Sequence, residues 1–415
     1  MMRIAVHDFG GYPFIVELSR ELAARGHEVF HLYAEGFRTP RGDMQPIVGH
    51  PSLTLEPVTL AEPIERSGWG RVAQERRYAR LLTQRIAQLA PDVVISANTP
   101  IEVQGAVAKA ADGRDAAFVF WLQDLHSVAI ARVLSRRNRM LGRLIGWRFE
   151  RIEKRLLRQA DPTVAISRDF LPVLQRWGVP ADRIEVIENW APIHEPVRSA
   201  RSDQWAAEHG LGRPLVLYAG TLAFKHNPAL LLELARGLPH ATVAVVAEGP
   251  GADWLREQAG VENLRVLPLQ PIERVPDMLA AADLLVAVLE PDASSFSAPS
   301  KVLTYLSAGR AILAAMPADN AAARLIVETS AGRVVDPMDT AGLVSAARTL
   351  LDDPQALASA GAAGHAYAAE TFDLERIGAR FEEVAYRAMD RKSRSPSARA
   401  ADTGSATDSS HEAGT

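Results

Sequence analysis

Short apolar runs alternate with helical patterns along most of this chain. The first apolar run covers residues 3–7 and is followed by a glycine loop and by residues 14–24, whose apolar positions repeat with helical spacing. Pro13 suits the first turn of such a helix, because an N–H group there would have no helical partner. Gly26 ends the helix, and residues 27–33 predict a second strand. The chain therefore opens with a β-α-β unit.

The same alternation continues through both halves of the chain. In the first half, strands are predicted at residues 92–96, 117–122, 163–166 and 183–187, with a helix at residues 100–111. In the second half, strands are predicted at residues 214–218, 243–246, 264–267, 284–288, 311–314 and 333–335. Alternating strands and helices are typical of parallel sheets that are covered by helices on both faces. The predicted fold class is therefore α/β, with two doubly wound domains.

Domain boundaries follow from the chain length and from polar stretches. The chain has 415 residues, which exceeds the roughly 100–200 residues of a common domain. Residues 196–213 are polar and carry no strong strand pattern, so we predict a linker there between a first domain, residues 1–195, and a second domain, residues 214–373. A terminal helix is predicted at residues 374–390. Residues 391–415 hold almost no bulky apolar side chain and are predicted to be disordered.

Composition and charge exclude several classes of protein. Hydrophobic residues make up 47% and charged residues 23%, and 46 basic against 50 acidic side chains give a net charge of −4, so nothing global indicates nucleic-acid binding. The chain has no cysteine and no metal-ligand spacing, so we expect no cofactor and no obligatory metal. No apolar run reaches the roughly 18 residues of a membrane-spanning helix. The first residues predict a strand and a loop rather than a secretion signal, so we expect a cytoplasmic protein whose membrane contact is peripheral.

Ligand-binding residues are expected in the loops after strands, because open α/β sheets bind ligands at the carboxyl ends of their strands. In the first domain this loop holds Gly10 and Gly11, where the backbone can approach a phosphate or a sugar hydroxyl and helix amides can face it. An equal alternative is a tight turn that needs glycine only for steric reasons. The spacing is not G-x-G-x-x-G, which argues against a dinucleotide-dependent oxidoreductase.

Three loops of the second domain carry ligand-type residues. These residues are Gly220, Lys225, Glu248, Gly249, Ser297, Ser300 and Lys301. The Lys225 ammonium could pair with a diphosphate at the mouth of the sheet. Ser300 and Lys301 fall in the first turn of a predicted helix, where N–H groups and the helix dipole favour an anion. A lone loop lysine is usually only solvated, but three such loops at one sheet edge favour a binding site.

Residues 132–158 hold ten basic side chains but only two acidic ones, Glu150 and Glu153. Leucine, tryptophan and phenylalanine are interleaved with them, a pattern that an anionic membrane surface attracts. We therefore predict a membrane-facing basic surface. Its foremost members are Arg136, Arg137, Arg139 and Arg143. The alternative is a solvated outer helix that packs its apolar face on the sheet.

Four segments of the second half carry a specific resemblance: YAGTLAFKHNPALLLELA, EGPG, PDMLAAADLLVAVL and SAPSKVLTYLSAGRAILAA. In order and spacing they resemble the nucleotide-sugar domain of family 4 glycosyltransferases, of the bacterial polysaccharide and glycolipid biosynthesis type. The resemblance implies a GT-B fold, in which two Rossmann-like domains face a central cleft. It also implies transfer of a sugar, with retained anomeric configuration, from a nucleoside diphosphate, most often UDP, to a lipid-linked or glycan acceptor.

By position, the resemblance assigns roles in donor binding to the second domain. Lys225 would hold the donor phosphates, and Ser300 with Lys301 would lie beside the diphosphate or the sugar. Glu248 and Gly249 match the segment that lines the nucleoside pocket. The family mechanism is front-face displacement, in which the leaving phosphate helps to remove the acceptor proton.

Other positions depart from the family pattern. Many members carry two glutamates where this chain has Phe296 and Thr304, so the ribose must be bound differently or by another group such as Glu290. In the first domain the family histidine is absent, but Asp124 matches the family aspartate. Asp124 is the main candidate to orient an acceptor hydroxyl or take its proton, with His126 as a second candidate. The alternatives are that Asp124 caps a helix and that His126 is a surface residue.

The missing glutamates keep two other functions open. A nucleotide-sugar 2-epimerase has two similar domains but acts on its donor alone, so it would release nucleotide without an acceptor. A protein that has lost catalysis would bind a nucleotide sugar and show no turnover with any acceptor.

Overall fold

The computed structural model describes residues 1–36, 44, 52–62, 64, 69–137, 139–191, 203–222, 226–258, 260–291 and 300–394. The chain forms two compact units. The first consists of Met1–Glu188 together with the chain from Leu374 onward, and the second consists of Asn189–Asp373. The first unit thus ends before the predicted linker, and the helix predicted near the end of the chain belongs to it.

The first unit is built on a parallel sheet. Its strands are β1 (Arg3–Asp8), β2 (Glu28–Ala34), β3 (Leu53–Val58), β4 (Val93–Ala97), β5 (Ala117–Leu122), β6 (Thr163–Ala165) and β7 (Ile184–Val186). Their order across the sheet is β3-β2-β1-β4-β5-β6-β7, and all paired neighbours are parallel. The helices before the domain boundary are α1 (Pro13–Ala24), α2 (Trp69–Leu89), α3 (Ile101–Asp112), α4 (His126–Arg137), α5 (Arg139–Gln159) and α6 (Leu171–Arg176).

Most predicted strands agree with the observed strands to within a residue or two at each end. β5 covers the predicted residues, and Pro13 occupies the first turn of α1. The central strands β4 and β5 are buried along their whole length, as continuous apolar runs require. β3 was not predicted from the sequence; it is an edge strand whose residues are mostly half-exposed. Such a strand lacks the long apolar run on which the other predictions depended.

The second unit repeats this architecture. Its strands are β8 (Leu215–Ala219), β9 (Thr242–Val246), β10 (Leu264–Leu267), β11 (Leu284–Val288), β12 (Ala311–Ala315) and β13 (Gly332–Val335). They lie in the order β10-β9-β8-β11-β12-β13, and all are parallel. Its helices are α7 (Gln204–Glu208), α8 (Pro228–Gly237), α9 (Pro250–Arg256), α10 (Val275–Ala281), α11 (Ser300–Ser307), α12 (Ala321–Glu328), α13 (Thr340–Leu351) and α14 (Pro354–Thr371). Residues 204–208 were predicted as linker, but α7 forms there because Trp205 is fully buried.

The helix α15 (Leu374–Arg394) packs within the first unit. Its fully buried Phe381 lies against Trp121 of β5, with ring centroids 4.6 Å apart. Glu382 accepts a hydrogen bond from Arg25 at 2.8 Å, which ties α15 to the end of α1. The predicted disordered tail begins too early, because residues 391–394 continue this helix. Residues 395–415 lie outside the described part of the chain.

Both sheets have a point at which the strand order reverses. It lies between β1 and β4 in the first unit and between β8 and β11 in the second. Doubly wound sheets bind ligands beside the carboxyl ends of strands at this point, because the loops there turn to opposite faces of the sheet. The candidate site of each unit is therefore expected in the loops that follow these strands.

Candidate functional site

The loop after β1 is organised around a buried carboxylate, Asp8. This carboxylate accepts hydrogen bonds from the N–H of Gly10, at 3.0 Å, and from the N–H of Tyr12. The N–H of Gly11 also donates to it. An ionised carboxylate at a helix N-terminus satisfies the same N–H groups that a phosphate would. The amides that the sequence analysis expected to face a ligand therefore point inward, to Asp8.

The charge of Asp8 is tuned by its surroundings. Burial raises the pKa of Asp8 to about 7, although the three N–H donors act in the opposite direction. Burial, with the nearby carboxylates of Asp8 and Asp124, raises the pKa of Tyr12 to about 12. The Tyr12 ring lies across Gly10, where a Cβ would overlap it. For Gly10, this is the steric role that the sequence left open.

Beneath this loop a buried polar network fixes β1 in the sheet. The Nδ1 of His7 lies 3.0 Å from the hydroxyl of Ser96 on β4, and its Nε2 lies 3.1 Å from the hydroxyl of Tyr78 on α2. Burial, and then the charge of His31, lowers the pKa of His7 to about 3. His7 is therefore neutral at physiological pH and acts as a structural residue.

The segment after β5 brings Asp124 and His126 to the same sheet edge. Asp124 is half-buried and follows β5 by two residues, and His126 begins α4. The N–H of His126, at 3.0 Å, and the N–H of Ser127, at 3.1 Å, both donate to the carboxylate of Glu153 on α5. Glu153 therefore caps this helix. Burial lowers the pKa of His126, so its ring is neutral near pH 7.

Two carboxylates at this edge were not identified from the sequence, Asp8 and Glu153. Burial, with a smaller effect from Asp124, raises the pKa of Glu153 to about 7 against the opposing effect of its hydrogen-bond donors. In the sequence, Glu153 was noted only as one of two acidic residues in a basic segment. Its place beside Ile152 and Leu156 on the apolar stripe of α5 was the available signal. For Asp8 the signal was an acidic residue at the end of an apolar strand.

In the second unit the loops after β8 and β9 are tied to one another by their backbones. The N–H of Gly220 donates to the carbonyl of Val246 at 3.0 Å, and the N–H of Leu222 donates to the carbonyl of Glu248 at 2.9 Å. Gly249 has φ 113° and ψ 172°, a conformation that essentially only glycine adopts. A Cβ there would also lie 3.0 Å from the carbonyl oxygen of Leu222. The loops therefore offer close-packed backbone, beside which the Glu248 side chain is exposed.

The first turn of α11 places an ammonium beside these loops. The Nζ of Lys301 is buried and lies 3.6 Å from the ring centroid of Tyr218 on β8. It is 3.8 Å from the position that a Cβ on Gly220 would take. The N–H of Ala219 donates to the hydroxyl of Tyr305 at 2.9 Å, which holds α11 against the end of β8. A lysine, a glycine backbone and a helix N-terminus at one place can bind a phosphate group.

The structure brings the described candidates to one sheet edge in each unit. At the first edge lie Gly10, Gly11, Asp124 and His126, and at the second lie Gly220, Glu248, Gly249 and Lys301. Lys225 and Ser297 lie outside the described residues, as does Phe296. The same holds for the side chains of Ser300, Arg136, Arg137 and Arg139, whose backbone is helical.

The outer face of α5 combines exposed apolar and basic side chains. Met140, Leu144 and Trp147 are 83%, 65% and 57% exposed and follow one another at helical spacing. Arg143 is exposed on the same helix, and the guanidinium of Arg151 lies 5.5 Å from the ring centroid of Trp147. Large exposed apolar side chains in a row are uncommon on a monomeric surface and mark an interaction site.

Within the ranges given above, no group of three or more histidine and acidic side chains is placed to hold a metal ion. In that same part of the chain, no helix combines the length and the apolar character needed to cross a bilayer.

The chain matches two family models. The model of a glycosyl transferase 4-like domain matches residues 10–190, and the model of glycosyl transferases group 1 matches residues 213–353. Together they cover most of the chain.

Relatives and solved structures agree with this match. The GDP-mannose-dependent alpha-(1-6)-phosphatidylinositol monomannoside mannosyltransferase of Mycolicibacterium smegmatis is 24% identical over 263 residues, covering 59% of this chain and 68% of the relative. The structure of Anabaena HepE in complex with UDP and glucose has a TM-score of 0.66 at 18% identity, covering 92% of this chain and 99% of its own. Sucrose-phosphate synthase from Thermosynechococcus elongatus has a TM-score of 0.70 at 15% identity, covering 93% of this chain and 98% of its own. With both family models matched and both units folded like these structures, the chain belongs to the family 4 type of glycosyltransferases with the GT-B fold.

Proposed function

We propose that this chain is a retaining hexosyltransferase that moves a sugar from a UDP-linked donor to a lipid-linked or glycan acceptor at the cytoplasmic face of a membrane. The observation that carries the proposal is the position of Lys301, with its Nζ buried beside Gly220 at the carboxyl ends of the central strands. An ammonium next to glycine backbone and a helix N-terminus complements the charge of a diphosphate.

The named relatives support the choice of substrates. HepE is described in complex with UDP and glucose, which favours a uridine nucleotide. The mycobacterial relative is named for GDP-mannose and for a phosphatidylinositol monomannoside, which favours a lipid-linked acceptor but a different base. The relatives thus differ in the base of the nucleotide, and calorimetric titration can decide between uracil and guanine.

The proposed reaction exchanges one glycosidic bond for another. The acceptor oxygen bonds to C1 of the donor sugar, the bond from C1 to the phosphate oxygen breaks, and the acceptor proton leaves with the departing nucleoside diphosphate. Asp124 orients the acceptor hydroxyl, with neutral His126 as the alternative group. Lys301 and Lys225 offset the negative charge that builds on the leaving phosphate. Attack from the face that the nucleotide leaves retains the anomeric configuration.

Calorimetric titration with UDP, GDP, UDP-glucose and GDP-mannose tests the donor side. The proposal predicts that the uridine compounds bind more tightly than their guanine counterparts. Tighter binding of GDP-mannose would mean that the donor carries guanine instead of uracil, with the proposed reaction unchanged. No binding to any of the four compounds would contradict the proposal. Binding of a nucleotide sugar without sugar transfer to phosphatidylinositol vesicles or to glycan acceptors would favour a non-catalytic protein. Epimerisation at C2 without an acceptor would favour the epimerase.

The acceptor side of the proposal places the outer face of α5 on an anionic bilayer. Met140, Leu144 and Trp147 would enter the boundary between headgroups and acyl chains, while Arg143 and Arg151 pair with lipid phosphates. Arg136, Arg137 and Arg139 are proposed to extend this basic surface. The membrane would in this way concentrate a lipid-linked acceptor next to the first unit.

Two methionines form a matched test of this surface. Met140 on α5 is 83% exposed, and Met338 in the second unit is 75% exposed. Met140→Ser should weaken sedimentation with vesicles of phosphatidylglycerol and phosphatidylcholine by about tenfold, since burying such a side chain is worth roughly 1.5–3 kcal/mol. Met338→Ser should leave vesicle binding unchanged. Equal binding by the two variants and the wild type would contradict the membrane proposal.

A further inference from the structure

Glu153 is a carboxylate that the proposed chemistry does not use. Its side chain is 0% exposed, although it lies on a helix that is rich in exposed basic residues. Taking a charge out of water is costly unless several hydrogen bonds satisfy it. A glutamate at such a position therefore needs a role that an apolar residue could not fill.

The hydrogen bonds of Glu153 go to the start of α4. One carboxylate oxygen accepts from the N–H of His126 at 3.0 Å, and the other accepts from the N–H of Ser127 at 3.1 Å and from its hydroxyl. These donors lie two and three residues after Asp124. The charge of Asp124 is also close enough to raise the pKa of Glu153, in addition to the effect of burial. Glu153 thus fixes the backbone that carries both first-unit catalytic candidates.

The helix that carries Glu153 is firmly packed on α4. A Cβ at Gly146 of α5 would come 3.1 Å from the Cα of Ala131 on α4, so only glycine permits this approach. The opposite face of α5 carries Leu144 and Trp147, which are 65% and 57% exposed. One helix therefore bears the proposed membrane surface on its outer face and the cap of the candidate catalytic segment on its inner face.

We infer that Glu153 is a positioning residue, which holds residues 124–127 in the geometry needed for acceptor chemistry and connects them to the membrane-facing helix α5. The inference rests on the proposed function, in which Asp124 orients the acceptor hydroxyl. The carboxylate acts through the helix cap and does not touch substrate. A cap from α5, rather than from a residue of α4 itself, makes the position of Asp124 depend on the position of α5.

The test compares Glu153→Gln with Glu150→Gln, an exposed glutamate one turn earlier on the same helix. Glutamine keeps the shape but turns an N–H₂ group towards one of the N–H donors, so one of the cap hydrogen bonds is lost. We expect kcat for release of UDP from UDP-glucose, with water as the acceptor, to fall at least about tenfold in Glu153→Gln, because misplacing a catalytic group by a small distance has effects of this size. KM for UDP-glucose should stay within about twofold of the wild type, since the donor is assigned to the other unit.

Two more measurements keep the inference falsifiable. Hydrogen exchange at the amides of His126 and Ser127 should be faster in Glu153→Gln than in Glu150→Gln, and this readout does not depend on activity. Ser127→Ala, which keeps both backbone hydrogen bonds, should lie between the wild type and Glu153→Gln in kcat. Unchanged kcat and unchanged exchange in Glu153→Gln would overturn the inference. Failure of the wild type to bind UDP, GDP, UDP-glucose and GDP-mannose would instead contradict the proposed function, and the exchange result would still decide the role of Glu153.

Discussion

The two sheet edges that carry the candidate sites share a topology and differ in chemistry. At the first edge, the N–H groups after β1 donate to Asp8, and Asp124 with Glu153 adds further carboxylates. At the second edge, the loops carry glycine backbone, and the Lys301 ammonium lies beside Gly220. The Lys301 ammonium therefore favours an anion at the second edge, and the acidic side chains at the first edge disfavour one. On the proposed function, the diphosphate would bind at the second edge and the acceptor hydroxyl at the first.

The largest expected effect comes from the first edge. Asp124→Asn should lower the rate of sugar transfer by about 100-fold, because a positioned carboxylate contributes this much to proton transfer or orientation. The affinity for UDP should not change, since the nucleotide is assigned to the other edge. Asp115→Asn, an exposed aspartate before β5, is the matched control. A loss of UDP affinity in Asp124→Asn as large as its loss of transfer rate would contradict the assignment of separate roles to the two edges.

A second prediction concerns the backbone of the second edge. Gly249→Ala should destabilise the second unit by about 1–3 kcal/mol and weaken UDP binding, because alanine strains this backbone conformation. Gly260 also has a positive φ, of 82°, but a Cβ there would meet nothing within 4 Å. Gly260→Ala should therefore cost less stability and leave UDP affinity intact, as measured by denaturant unfolding and calorimetry. Equal effects on UDP affinity would show that Gly249 has no special place at the site.

A third prediction concerns a pH dependence of stability at the first edge. Burial raises the pKa of Asp8 from 3.8 to about 7, so between these values the folded state holds a proton that the unfolded state has lost. The wild type therefore loses stability from this group as pH rises through the window, by at most about 1.4 kcal/mol per pH unit. Asp8→Asn should accordingly gain stability relative to the wild type from about pH 4 to about pH 7.

The stability of Asp8→Asn must be compared with that of the wild type at each pH, because other buried groups also respond to pH. Burial lowers the pKa values of His7 and His31 from 6.5 to about 3, and these groups change stability in the opposite direction over most of the window. Denaturant unfolding at a series of pH values, with Asp115→Asn as control, measures the difference. If the difference in unfolding free energy between Asp8→Asn and the wild type did not change with pH, this would contradict the proton binding of buried Asp8.

The fold was largely predictable because its central strands are continuous apolar runs separated by helical patterns. The edge strand β3 was not predictable because it has no continuous apolar run. The short α7 was not predictable because it depends on the burial of a single residue, Trp205, rather than on a periodic pattern.

The positions of the candidate residues were predictable where a loop directly follows a strand. Gly220, Gly249 and Lys301 were identified because their loops follow strands and resemble a known family. Glu153 was missed because its partners, at the start of α4, are 26 and 27 residues away in the chain, and no local pattern reports such a distance. Gly10 and Gly11 were predicted to present their amides to a ligand. These amides instead donate hydrogen bonds to the carboxylate of Asp8.

The proposed function depends most on Lys301, which would bind the donor diphosphate at the second edge. Calorimetric titration of Lys301→Met with UDP tests it most directly, because methionine keeps the apolar stem of the side chain and removes only the ammonium. Lys109→Met, at an exposed lysine of α3, is the control. We predict that Lys301→Met binds UDP at least about tenfold more weakly, as expected for loss of a charged contact to phosphate, while the control binds as the wild type does. UDP binding of unchanged affinity in Lys301→Met would contradict the claim.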